Sequence, residues 1–227
     1  MESLELLNSR KHAAVRMRKR YGTPTHFVRI VASEFAAAAT ACPILFSKHP
    51  DTGAFYAGAV MGLKPGECLI DSPDGTLAFR SLEGERDGFF ASDEHIAIDT
   101  AHVRFSATDG EPLFEGDGAP GAALRRAQGA LGRLMAGVGP TDAFIQALLR
   151  HRLIEPIDIA LSFDDGERLT LVGLYTVSLD ALGELDDAAV LGLFRDGHLQ
   201  LAYTMIGSLQ QISVLARRRN ERLAEAG

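Results

Sequence analysis

Apolar and polar positions alternate through most of the first half of the chain. THFVRIVASEF, from Thr25, reads as a β-rich run ending at Ser33-Glu34-Phe35. After AAAAT comes CPILFSKHPDTGAFYAGAVMGL, an apolar run, a KHPDTG turn and a second apolar run, which predicts a hairpin. GECLIDSPDGTLAF repeats that logic with SPDG as the turn. EHIAIDTAHVRFS alternates at Ile96 and Ile98, then at Val103 and Phe105, which predicts one strand, or two with a kink.

Beyond residue 120 the period changes. Leu124, Ala127, Leu131, Leu134 and Val138 step by three or four and predict a helix. GVGP interrupts it, and Thr141-Asp142 makes an N-cap for a second helix burying Phe144, Ile145, Leu148 and Leu149. Gly139-Pro140 would make the pair an αα-hairpin. IDIALSFDDGERLTLVGLYTVS flanks Asp165-Gly166 with alternating arms and predicts a further β-hairpin. Asp186 caps a short helix through Phe194, closed by Gly197. A final long helix buries Leu201, Met205, Leu209, Ile212 and Leu215.

The pattern is α+β: a β-rich N-terminal half with hairpins, and a helical C-terminal half containing one further β-hairpin. No period of 20–50 residues repeats, so solenoids and propellers are excluded. The bend near 115–121 offers a domain boundary. A lone 160–177 hairpin needs a sheet or helices to cover it, which favours one domain over 1–227, β-rich from about 23 to 108 and helical with its hairpin from about 120 to 223.

Charge adds an asymmetry. The 227 residues carry a net charge of −7, which argues against a general nucleic-acid binder. Residues 1–20 hold six Lys/Arg against Glu2 and Glu5, while residues 51–120 hold fourteen acids against four bases. The basic arm reads as a solvated terminal segment, with RNA, anionic lipid or the acidic middle as alternative contacts. Cys42 and Cys68 sit in apolar surroundings, fit no zinc or redox spacing, and read as small core residues. MESLELLNSRKHAAVRMRKR has no apolar secretion core, and no run reaches the ~18 apolar residues of a membrane span. The expectation is a cytoplasmic chain without a transmembrane segment.

Candidate chemistry is sparse. DGEPLFEGDGAP (109–120) is rich in carboxylates, but a calcium loop starting at Asp109 would need ligands where Leu113 and Phe114 stand. A structural turn with both plugged into the core is the preferred reading. His49 and Asp51 match half of a two-His-one-carboxylate iron site but lie in a turn that Asp-Thr-Gly explains. His-Glu-x-x-His, Gly-x-Ser-x-Gly, P-loop and dinucleotide fingerprints are all absent. Asp99, His102 and Arg104 form a polar cluster at a strand end, where Arg104 would fork onto a carboxylate. With Glu111 and the Tyr175 hydroxyl they are the candidate binding residues. No cofactor is expected.

Several stretches together resemble the bacterial SapC family. They are LNSRKHAAVRM, VASEFAAAATACPILFSKHPDTGAFYAGAVMGLKPGE, IDTAHVRFSATDGEPLFEGDGAP, GPTDAFIQALLRHRLIEPIDIALSFDDGERLTLVGLYTVS and GHLQLAYTMIGSLQQISVL. They cover nearly the full length in order. Departures are Ala41-Cys42-Pro43-Ile44 for the family's YPI, Gly66-Glu67-Cys68 for GEN, and EGERDGFF, where only Arg86 and Phe89-Phe90 echo a basic RR.PF piece. The resemblance implies association with surface-layer or outer-membrane systems, in neighbourhoods of TonB-dependent receptors and flavin-dependent halogenase-like proteins. It brings no catalytic residues.

The expected function is therefore an accessory or binding protein with a protein or peptide partner, a small-molecule ligand also being compatible. Its working surface would be a groove between the strands and the 121–153 helices, rimmed by Asp99, Arg104 and Glu111–Phe114. One alternative is an enzyme modifying a peptide or small molecule, with or without non-haem iron. Another is a structural surface-layer protein.

Overall fold

The computed structural model describes residues 4–19, 25–72 and 74–226. In chain order its strands are β1 (Leu4–Leu6), β2 (Arg16–Met17), β3 (Phe27–Arg29), β4 (Ile44–Lys48), β5 (Phe55–Val60) and β6 (Phe89–Ser92). Then come β7 (His95–Asp99), β8 (Phe105–Ser106), β9 (Glu111–Pro112), β10 (Ile154–Ser162) and β11 (Arg168–Val177). The helices are α1 (Phe35–Ala38), α2 (Leu82–Arg86), α3 (Ala122–Arg150), α4 (Leu179–Gly183), α5 (Asp187–Arg195), α6 (His198–Ser208) and α7 (Gln211–Ala226). This is an α+β protein, with strands mostly in the N-terminal half and α3–α7 in the C-terminal half.

The chain divides into two compact units, 1–23 with 82–136, and 24–81 with 137–227. In the second, the five-stranded sheet runs β10-β11-β4-β5-β3, so the late hairpin is joined to the early one. The junction sets Tyr175 opposite Phe46. The expected β4–β5 and β10–β11 hairpins are present, and Gly166 takes the left-handed φ of +84° that a tight turn needs. Phe35, Ile44, Leu45, Phe46, Phe144 and Leu148 fill the core. Cys42 belongs to it, and burial pushes its thiol up to about 12, with Cys68 half-buried at the edge. Arg219 of α7 is buried, bonds Glu67 at 3.0 Å and Glu167 at 2.7 Å, and lies over the Phe163 ring.

Three expectations are corrected. Residues 122–150 form one helix, with Pro140 inside it, where an αα-hairpin was expected. Proline's fixed φ suits a helix, and the next residue, Thr141, ties its Oγ back into the preceding turn by donating to the Gly137 carbonyl at 2.6 Å. The same oxygen accepts the Ala32 N–H at 2.8 Å, and a Cβ on Gly137 would lie 2.6 Å from Val31, so tertiary packing holds the helix through the proline. Its Val138 and Leu149 are exposed. The final long helix is instead two, because Ser208 Oγ accepts the Ile44 N–H at 2.8 Å and the chain turns at Leu209-Gln210. GECLIDSPDGTLAF forms a single bridge, Asp71 with Leu77, rather than two strands. Asp186 does cap α5, accepting the Ala189 N–H, and Gly197 closes it at φ +75°.

The first unit is built from short pieces: a β1-β7-β6 sheet, a β8-β2-β9 sheet and the first half of α3. Its core is Met17, Phe89, Ile98, Phe105, Leu113, Leu124 and Leu131, with Ala123 and Ala127.

Candidate functional site

A groove of about 970 Å³ opens in the first unit. One wall is the segment 5–11, which continues β1. Leu7 N–H still donates to Ile96 at 2.8 Å before the chain turns. Asn8 makes that turn: its Oδ1 accepts the N–H groups of Arg10 at 2.9 Å and Lys11 at 3.0 Å. His12 lies behind the wall, 2% exposed. Its Nδ1 is 2.9 Å from the Asn8 amide nitrogen and 3.1 Å from the Asn8 carbonyl. With the amide donor nearer, Nδ1 is assigned as the acceptor, which puts the proton of the neutral ring on Nε2. Nε2 lies 3.3 Å from Glu5 Oε1 without making an aligned hydrogen bond to it. Lys11 also bonds Glu5. The Lys11 ammonium, and after it His12, holds the Glu5 carboxyl below its ordinary range.

The other wall is the loop after β9. Phe114 bridges Pro120, Glu115 N–H donates to Ala119 at 2.8 Å, and Asp117 Oδ1 accepts the Ala119 N–H at 2.9 Å. Gly118 takes φ +83° where the loop faces Ser9. Ile96, Phe114 and Leu124 make the apolar lining, and Arg10, Glu94 and His95 the polar one.

DGEPLFEGDGAP is therefore a connector that also walls a groove. Leu113 is fully buried in the core of the first unit, and Phe114 is half-buried against the same core while also lining the groove. Its acids are engaged separately: Asp109 with Arg18 at 3.3 Å, Glu111 with Arg126 at 2.9 Å and Lys19 at 3.6 Å. Arg126, then Lys19, lowers the Glu111 carboxyl. Among the described residues no three His, Cys, Asp or Glu side chains gather as a metal site would require.

Asp99, His102 and Arg104 do come together, in the turn between β7 and β8. Asp99 accepts the Ala101 N–H, His102 Nδ1 accepts the Arg104 N–H, and His102 Nε2 is 3.5 Å from Asp87. Arg104 is 5% exposed, and its Nη1 donates to the carbonyls of Glu85 at 2.9 Å and Asp87 at 2.8 Å, at the end of α2. None of these three, nor Glu111, lines the groove. Tyr175 lies in the second unit, half-buried, edge-on to Phe55 with ring centroids 4.9 Å apart and Lys48 over its ring. His49, half-buried, and Asp51, exposed, lie in the β4–β5 turn, 3.9 Å apart.

Glu5, Asn8, Lys11 and His12 were missed as a cluster. The signal was an Asn two and three residues before the amides it caps, in a stretch dominated by its basic charge.

These features define an α+β protein whose first unit carries an open groove beside a strand edge. Over residues 7–215 the sequence matches the model of the SapC family, and the chain belongs to that family. No curated protein and no solved structure matches it.

Proposed function

We propose that the protein is an accessory or binding component of a bacterial surface-layer, outer-membrane uptake or peptide-modification system, and that its groove takes an extended peptide segment of a partner. Family membership supports the setting. The observation that carries the peptide reading is the open edge of β1. That strand pairs with β7 on one side, and no described strand lies on the other. Leu7 bonds Ile96, so by antiparallel alternation Glu5 faces Ile98 as a hydrogen-bonded pair. Leu4 and Leu6 then turn their backbone groups outward, and both side chains are exposed. An added strand would gain main-chain hydrogen bonds there and place alternate side chains toward the groove. The reading has the protein act in the cytoplasm, which cell fractionation tests.

Proline at position 6 removes only an outward N–H, so Leu6→Pro keeps the β1–β7 pairing. Peptides selected from a displayed random ten-residue library on the wild-type protein should bind Leu6→Pro at least tenfold more weakly, at unchanged melting temperature. Phe114→Ala should weaken them too. Equal binding by Leu6→Pro, or a library that yields no binder, would overturn the peptide reading. Turnover of a small molecule by the purified protein would replace it with an enzyme.

A further inference from the structure

Helix α5 is apolar on two sides. Its sequence, DAAVLGLFR, turns Leu193 inward at 3% exposure, with Ala189 half-buried on the same side. At 100° per residue, Val190, Phe194 and Leu191 fall about 60°, 100° and 160° round the axis from Leu193, so together they cover the flank and far side of the helix. That face lies in solvent: Val190 is 37% exposed, Leu191 46% and Phe194 68%. A helix that is hydrophobic all round is ordinarily covered on all sides. Nothing in this chain covers the outer face among the described residues.

The charges around it indicate what would. Asp186 caps the helix, Asp187 stands one turn before Val190 and Leu191 on the outer face, and Asp196 ends it. Asp180 and Glu184 belong to the α4 segment just before. None of these five has an ion-pair partner among the described residues, and Arg195 is the one base within α5. A second copy of the chain would set these carboxylates against their own kind across a twofold axis, in a protein of net charge −7. An anionic membrane surface would be repelled in the same way.

We infer that the outer face of α5 docks a basic amphipathic helix of a different protein, with Phe194, Leu191 and Val190 receiving its apolar stripe and the acidic rim pairing with its Lys or Arg. This is an interaction surface separate from the groove, in the other unit of the chain, and it stands whether or not the groove binds peptide.

The test uses the full chain and an 18-residue Leu/Lys amphipathic helical peptide as probe, with its Leu/Glu counterpart as control, followed by fluorescence anisotropy. Wild type should bind the Leu/Lys peptide, more weakly as salt rises, and leave the Leu/Glu peptide unbound. Phe194→Ser and Leu191→Ser should each weaken binding at least fivefold without moving the melting temperature. Undiminished binding by both variants would mean general attraction to an acidic protein and overturn the proposal. A marked fall in melting temperature in both would show the face already packed within the chain, with the same consequence. So would wild-type dimers in sedimentation that Phe194→Ser converts to monomers.

Discussion

The two halves of α3 serve cores of different kinds. Among the described residues, 122–136 offer Ala123, Leu124, Ala127 and Leu131 to a core of nine buried apolar residues, whereas 137–150 offer Phe144, Ile145 and Leu148 to one of thirty. Alanine lets backbones approach but removes little area from water. Polar groups are buried in both units: Arg104 bonded to two carbonyls, and His12 with Asn8 holding the turn after β1, in the first; Arg219 between Glu67 and Glu167 in the second. In the second unit Phe144 packs on both Phe35 and Phe46, with ring centroids 5.9 and 6.1 Å apart. The thin-cored unit carries the groove. A site that must admit a partner is more easily built where apolar contacts are few and loops wall the space, since such regions open at lower cost.

That contrast can be broken by mutation. Phe144→Ala should cost the most, about 3–5 kcal/mol by urea denaturation, because a fully buried aromatic leaves a cavity the rigid sheet cannot fill. A loss below about 1 kcal/mol would mean that the second core is no better packed than the first. Arg104→Ala should cost about 2–3 kcal/mol, since it strands two carbonyls that a charged donor satisfied. Arg104→Lys should not restore it, as a point charge on a flexible stem cannot reproduce the fork. If Arg104 instead serves a ligand, Arg104→Ala would leave the melting curve unmoved and lower binding.

Pro140→Ala sharpens the comparison where the two halves of α3 meet. Restoring an N–H at an exposed helix position should add about 1–2 kcal/mol, part of the roughly 3 that an interior proline costs. A loss of stability would show that the proline's local geometry is required by the packing around Gly137 and Val31.

The smallest effect is expected at Glu5, and it is visible only in acid. Lys11 and His12 hold this carboxyl below its ordinary 4.5, so the unfolded chain takes up the proton more readily than the folded one. The interaction therefore adds stability above pH 4.5 and is lost as pH falls through the depressed value. In Glu5→Gln the melting temperature should fall less steeply over that acid range than in wild type. Parallel acid limbs would show that the pair contributes nothing to folding.

Much of the second unit was legible because its signals are local. Alternation around KHPDTG and FDDG marks hairpins, and Asp186 with Gly197 brackets a helix by capping chemistry that needs no tertiary partner. Leu113 was legible as a core plug from the apolar pair inside a polar loop. Phe114 packs on that core too, but nothing in EPLFEG shows that it also walls a groove. Asp99, His102 and Arg104 share one turn, but Arg104's carbonyl partners lie 17 and 19 residues back in sequence. The groove itself joins segments near residues 5–11, 94–96 and 114–128, a convergence that no sequence window contains.

By itself the sequence determined the α+β class, the main hairpins, the burial of Cys42 and the family, because these depend on periodicity, turn chemistry and motif order along the chain. Only the tertiary structure decided that Pro140 continues a helix, that Ser208 ends one, and that Phe194 faces solvent. Each depends on a partner, or the lack of one, distant in sequence: Ala32 for Thr141, Ile44 for Ser208, and no covering element for the outer face of α5 among the described residues. Local propensity sets which elements the chain can form. Packing and hydrogen-bond satisfaction across long sequence separations choose where those elements stop and which faces remain open.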